Sequence, residues 1–254
     1  MWTIKANYIN LLSIFVIIFI GLILTLPVIF NDVFLAPDLL LHLHWSKHFS
    51  EQFWRGDFYP RWLLNMNAGF GSPTFFFYGP VPYYLTSLFY PLFANDSSAW
   101  YQLSLSASMG LIASGLSAYI WLRTITNKNS ALIASIVYMA LPYHLAIDLY
   151  SRFAFAEFWA FVWSPLILFF SVKILADHKI AIIGFAVSYA LLSMTHLPTL
   201  IMFSLVPIFY ILSMAAKRKR KKALVHVIVA ILLGIGLSAI YWLPAMTTQE
   251  NSPP

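Results

Sequence analysis

Runs of roughly 20 mostly apolar residues recur along the chain, at about 9 to 30, 99 to 122, 131 to 149, 158 to 176, 179 to 196, 198 to 216 and 223 to 246. A helix of that length crosses the hydrocarbon core of a bilayer, where each backbone N–H and C=O has to be satisfied within the segment. The runs leave little of the 254 residues for a water-soluble core. Composition agrees: 61% of residues are hydrophobic and 9% charged, with a mean hydropathy of +0.78, too apolar for a soluble domain. The expected fold class is all-α, a polytopic membrane helix bundle of about seven transmembrane helices in a single integral membrane domain.

An eighth apolar stretch, about 74 to 93, is interrupted by Pro80, Pro82 and Pro91. Proline removes a backbone donor and breaks the helical ladder, so this stretch is expected to lie at the interface or dip into the membrane. Charge then orients the chain. The run "KRKRKK", Lys217 to Lys222, belongs in the cytoplasm by the positive-inside rule. Counting back through the spans puts His178, Lys179, Arg123, Lys128 and Lys5 on the same side. Residues 31–98 then form an external loop, with the N-terminus inside and the C-terminus outside. A full span at 74 to 93 would move either Lys5 or the Arg123–Lys128 loop to the wrong side. The basic run reads first as a topology anchor, with binding of lipid headgroups as the second reading.

Other classes find no support in the pattern. Lys5 ahead of an apolar stretch is how a signal peptide begins, but the stretch is longer than an h-region and "VFLAPD" is no A-x-A-like cleavage site, so the first span is expected to stay attached. The chain has no cysteine, which excludes disulfides and thiolate metal sites. "NAGFGSP" has neither the spacing nor the Lys of a phosphate-binding P-loop. No nucleic-acid partner is expected.

The segment "GDFYPRWLLNMNAGFGSPTFFFYGPVPYY", residues 56–84, differs from everything around it, with four prolines, four glycines and repeated Phe and Tyr. Such a composition suits a fixed, irregular connection in the headgroup layer, and Arg61 within it suits phosphate. Before it, residues 39–55 have helical periodicity. Leu41, Trp45, Phe49 and Phe53 fall on one face, with His44, Lys47, His48, Glu51 and Arg55 opposite. Asp38 and His42 share the azimuth of the inward face, where a carboxylate needs a partner or a task. Asp38 as a helix cap is the simpler alternative.

More polar residues fall on the same side of the membrane. His144 and Asp148 are one turn apart, Arg152 follows one turn later, and Glu157 and His196 stand in the next external turns. Asp38, His42, Arg61, His144, Asp148, Arg152, Glu157 and His196 therefore all map to the outer surface. Arg152 and Glu157 can equally serve as a loop-holding pair, and single histidines at helix ends as interfacial polar tips.

The stretches "PDLLLHLHWSKHFSEQFWRGDFYPRWLLNMNAGFGSPTFFFYGPVPYYLTSLFYPLF", "SRFAFAEFWAFVWSPLIL", "THLP" and "SAIYWLPAM" resemble a bacterial multi-pass family labelled membrane protein 6-pyruvoyl-tetrahydropterin synthase-related. That family is similar in turn to YfhO-like proteins and the wider GT-C glycosyltransferases. The resemblance implies a bacterial cytoplasmic-membrane enzyme that takes a sugar from a polyprenyl-phosphate donor at the external leaflet and inverts the anomeric carbon. It implies an acidic residue after the first span, matched by Asp38 as catalytic base. It also implies two juxtamembrane helices, matched by 39 to 55 and 74 to 93. Arg61 or Arg152 would neutralise the phosphate, and His42 and His196 would orient substrate. Glu157 would hold Arg152 or join a divalent-cation site, a choice that stays open. No pterin or zinc site is expected, since pterin synthases are soluble and use a histidine cluster and a cysteine. Members of the family run longer, so the chain is expected to be the N-terminal part of a larger architecture. A non-enzymatic lipid-binding or assembly factor of the cell envelope is the alternative. A transporter would place polar residues at mid-membrane, where the spans have almost none.

Overall fold

The structure, a computed structural model, describes residues 10–30, 36–93 and 99–249. Lys5, the C-terminal residues 250–254 and parts of the expected external loop (31–35 and 94–98) lie outside the described residues. The chain folds into α1 (Leu11–Phe30), α2 (Leu39–Trp54), α3 (Thr74–Phe77), α4 (Val81–Ser87), α5 (Ala99–Leu122) and α6 (Lys128–Met139). A π-helix over Pro142–Ser151 comes next, then α7 (Phe155–Leu175), α8 (Ile180–Ser193), α9 (Leu197–Phe203), α10 (Val206–Met214), α11 (Lys217–Leu237) and α12 (Ala239–Gln249). Among the described residues β-structure is limited to the isolated antiparallel bridge between Leu63 and Ser72.

Among the described residues five stretches are long and apolar enough to cross a membrane: Leu11–Phe30, Ala99–Leu122, Lys128–Ser151, Phe155–Leu175 and Leu197–Met214. The count is six if Lys219–Leu237 and Ala239–Thr248, bent by 60° at their junction, form one span. Two sequence expectations change here. The run expected at 179 to 196 is helical for only 14 residues, α8, because Pro198 opens a new helix four residues later. The run expected at 223 to 246 breaks at Ser238, whose hydroxyl bonds the carbonyls of Gly234 and Ile235 at 3.1 Å each. A serine bonded back to the preceding turn beside glycines is an ordinary cause of a helix bend.

α7 is the axis of the molecule, with a core on each side. One joins α1, α2, α4, α5 and α7 through Ile17, Phe49, Tyr83, Leu111 and Phe158. The other joins α7, α8, α10 and α11 through Ile167, Phe185, Ile211 and Val227. Trp163 of α7 packs against both. Lipid tails are as apolar as leucine, so helices in a bilayer associate through close packing rather than hydrophobic burial, and small residues mark the seams. α5 shows this with Ala107, Gly110, Ser114, Gly115 and Ser117 inward. Ser104, Ser108, Ser114 and Ser117 bond their own helix, as Ser114 does to Leu111 O at 2.7 Å. A Cβ on Gly115 would meet Met139 Sδ at 2.4 Å, so any larger residue would force the Met139 side chain to move. The outward faces carry Phe15, Phe19, Ile133, Ile183 and Leu232.

The stretch 74–93 makes no span. It is cut into α3, α4 and a 3₁₀ turn over Tyr90–Leu92, as its prolines predict. α2 is helical as expected, and its predicted inward face holds at His42 and Phe49, which are buried, and at Trp45 and Phe53, which pack against the core, but not at Leu41. Leu39, His42, Ser46, Phe49 and Ser50 are buried while Leu40 and Leu41 are exposed. The reason is polar matching. α2 packs onto α4 and α5, where Gln102 Nε2 donates to Ser50 Oγ at 2.7 Å, so the leucines face outward.

Candidate functional site

The loop between α1 and α5 folds back onto one end of the bundle, and four contacts fix it there. The Asp38 N–H donates to Arg152 O at 3.2 Å and the Val81 N–H to Met194 O at 3.1 Å. Arg61 Nη2 donates to Ile240 O at 2.8 Å, and the Tyr241 hydroxyl to Phe77 O at 2.9 Å. Gly79 comes so near the α8–α9 turn that a Cβ would lie 2.3 Å from Thr195 O. The opening segment is held by its own local structure: Leu63 and Ser72 exchange backbone bonds of 2.8 and 3.0 Å around left-handed Asn67, Ala68, Gly69 and Gly71.

Two polar groupings occupy this end. The first surrounds Arg152. Its Nη1 lies 3.4 Å from Glu157 Oε2 and 3.9 Å from Asp148 Oδ1. The Tyr143 hydroxyl donates to the other Glu157 oxygen at 2.7 Å. Asp148 is fully buried, and neither carboxylate oxygen has a hydrogen-bond partner among the described residues. It sits on the π-helix, which ends as the Arg152 N–H bonds Ile147 O at 2.8 Å and the Ala154 N–H bonds Asp148 O at 2.7 Å. Phe153 then takes φ +57°, a left-handed conformation costly for a bulky residue. π-turns and such strain gather at functional sites.

Asp38 borders this grouping and its charge is felt at Arg152. It occupies the N-cap position of α2, yet its side chain makes no capping bond, so the cap role leaves the carboxylate unused. His196 also stands within reach of the charges of Glu157 and Arg152; burial lowers its pKa, and its Nδ1 pairs with Thr199 Oγ1 at 2.7 Å.

The second grouping is a buried aromatic box around His42. Its Nδ1 is 2.6 Å from the Tyr83 hydroxyl, and rings of Trp45, Tyr78, Phe153 and Phe155 surround it. Burial pushes the imidazole pKa down to about 3, so it is neutral. Tyr83 lies beside Tyr78, their ring centroids 6.1 Å apart, and burial raises both phenols, with Asp38 adding to the effect. Sequence reasoning missed these tyrosines by assigning the aromatic run to the headgroup layer. The available signal was Tyr rather than Phe at 78 and 83, since a buried phenol normally uses its hydroxyl.

The residues predicted as a site therefore divide. Asp38, Asp148, Arg152, Glu157 and His196 come together. His42 lies beneath them as a buried support, and His144 is stacked on Phe161 at 4.1 Å inside the bundle. Arg61 stands apart, over the Tyr59 ring at 4.2 Å, and ties the loop to α12.

A family model described as 6-pyruvoyl-tetrahydropterin synthase related domain, membrane protein, matches residues 75–252. The chain belongs to this family. The match covers α4 to α12 with Asp148, Arg152, Glu157 and His196, while Asp38, His42 and Arg61 precede it. No curated protein matches the chain. No solved structure matches it. In this member of the pterin-synthase-related membrane family the residues do not fit a histidine zinc centre. His42, His144 and His196 are engaged singly with Tyr83, Tyr138 O and Thr199. Among the described residues no group of three His, Asp or Glu could hold a metal ion.

Proposed function

We propose that this chain is a GT-C-like membrane glycosyltransferase, or its N-terminal part, acting on a polyprenyl-phosphate-linked sugar at the external face of the bacterial cytoplasmic membrane. The observation that carries the reading is the docking of Asp38 on the Arg152 loop, which brings a carboxylate unused in capping beside the Arg152–Glu157 pair. In this reading the chain makes seven passes, with α8 and α11 both crossing and α12 turned along the loop end. That arrangement puts Arg123, Lys128, Lys179 and Lys219–Lys222 at the opposite end, the cytoplasmic one by the positive-inside rule.

The chemistry needs few groups. The acceptor hydroxyl oxygen attacks the anomeric carbon from the face opposite the phosphate, and Asp38 takes its proton. The bond from the anomeric carbon to the phosphate oxygen breaks, and its electron pair leaves with the phosphate. A phosphate leaving group needs neutralisation more than a proton, and Arg152 supplies a planar, permanently charged donor. Glu157 and Tyr143 aim the guanidinium; His42, through Tyr83 and Tyr78, keeps the floor beneath Asp38 rigid and dry. Arg61, tied to α12, holds the opening segment of the loop against the bundle.

The test compares transfer of labelled sugar from polyprenyl-phosphate donors in membranes containing the wild type or Asp38→Asn. Activity lost by a factor of at least about 100, with folding intact, supports a general base. Transfer at an unchanged rate in the variant removes Asp38 from the mechanism. No transfer by the folded wild type with a full donor panel favours a non-enzymatic lipid-binding or assembly role.

A further inference from the structure

The other end of the bundle holds a cavity of about 90 Å³ lined by Ile174, Asp177, His178, Lys179, Lys222 and His226. Its walls come from the last turn of α7, the α7–α8 turn and the first turns of α11. The turn is shaped by Asp177, which adopts φ +63°, a conformation Asp tolerates better than most residues. Its carboxylate gathers Lys219 at 3.0 Å and Lys222 at 2.7 Å. One carboxylate thus holds two ammonium groups together, with Lys179 beside them. The side chains of His178, Lys179 and His226 make no hydrogen bond among the described residues. Positive charge is left over at a concave site.

What lies beneath the cavity selects the kind of anion. On α11, Lys222, His226, Val229 and Leu233 follow one another at helical spacing, and the last two are exposed. On α8, Ile183 and Val187 succeed Lys179 in the same way and are also exposed. Two apolar rows therefore run from the basic mouth toward the middle of the helices. The α8–α11 seam between them is tight, since a Cβ on Gly234 would lie 2.9 Å from Ala186 O. A water-soluble phosphate needs only the mouth. A phospholipid uses both parts, with its phosphate among the lysines and its acyl chains along Ile183, Val187, Val229 and Leu233.

We infer that this cavity is a binding site for the phosphate of an anionic membrane lipid, separate from the polar grouping around Arg152 at the loop end. Basic clusters next to membrane helices attract acidic lipids in general. The site differs from that background in having a cavity, a carboxylate that fixes two lysines and apolar rows for the chains.

The test uses the full chain in phosphatidylcholine nanodiscs with and without phosphatidylglycerol, reading retention of a labelled phosphatidylglycerol through purification. Lys179→Gln/Lys222→Gln is compared with Arg123→Gln/Lys128→Gln, which removes the same charge from the same end. A loss of about tenfold or more in the cavity variant, against little change in the control, supports the site. Equal losses mean diffuse surface charge and overturn it. Inorganic phosphate competing as well as the lipid would make the occupant a soluble anion and overturn the lipid assignment. Folding of each variant is checked by thermal unfolding, and the milder Lys179→Gln alone is expected to show the same direction of effect.

Discussion

The two ends of the bundle use charge in opposite ways. At the loop end His42 and Asp148 are buried, and partners are few and fixed by geometry. At the basic end Asp177, Lys219 and Lys222 are exposed and pair with one another in solvent. A buried ionisable group without full compensation costs free energy that only a packed surrounding structure can sustain. An exposed pair costs little and contributes little. The loop end should therefore be the part whose perturbation the whole protein feels, and the basic end the part that tolerates change.

The largest effect is expected where loop and bundle touch most closely. Gly79→Val would drive a side chain into Thr195 O and Met194 O, which a Cβ alone meets at 2.3 and 2.7 Å. Neither backbone carbonyl can yield without opening the α8–α9 turn and breaking the Val81–Met194 bond. Thermal unfolding in detergent should show a loss of more than about 3 kcal/mol. A variant as stable as the wild type would mean that the loop is not seated on this turn.

Acid should next distinguish the ends. The His42 pKa is held at about 3 in the folded chain, against an ordinary 6.5. Below about 6.5 the unfolded state takes up a proton that the folded state refuses, so stability falls as pH drops toward about 3 and levels off below it. By about pH 4.5 the loss should reach roughly 2–3 kcal/mol. His42→Asn should flatten that slope. An unchanged slope would place the acid sensitivity elsewhere.

Asp148→Asn comes third and tests whether the loop end is strained for use. Removing a buried carboxyl whose oxygens lack hydrogen-bond partners and have only the 3.9 Å contact with Arg152 should raise stability by about 1–2 kcal/mol while lowering the proposed glycosyl transfer, the usual pattern at a functional group. A fall in stability of similar size would make Asp148 a structural anchor for Arg152.

Much of this contrast was legible in the sequence, because helix length, proline breaks and clustered lysines act locally. The runs at 99 to 122 and 9 to 30 match α5 and α1 closely, and the polar residues around Arg152 were found by counting spans. The departures came from tertiary context. Ser50 joined the inward face of α2, and Leu41 left it, because Gln102 waits behind the helix. α8 shortened and the last run bent at Ser238 through backbone bonding that hydropathy does not register. The π-helix and the buried His42–Tyr83 pair depend on contacts between residues far apart in sequence. Arg61, an attractive phosphate ligand in isolation, found a carbonyl on α12.

The smallest effect should come from Asp177→Asn at the basic end. Lys222 and Lys219 hold this carboxyl down at about 2 from an ordinary 3.8. Its contribution to stability is therefore present above about 3.8 and lost as pH falls from there toward about 2, a window that meets only the acid end of that of His42. Asn accepts the left-handed backbone of residue 177 nearly as well as Asp, so the substitution removes the charge and leaves the turn. Melting should drop slightly at low ionic strength and match the wild type in high salt, since exposed pairs are screened. The lipid site should respond differently: releasing Lys219 and Lys222 from their carboxylate raises the local positive charge, so association with phosphatidylglycerol should tighten while headgroup selectivity falls. A large, salt-independent loss of stability would instead make Asp177 as structural as the groups at the loop end, and the contrast between the two ends would not hold.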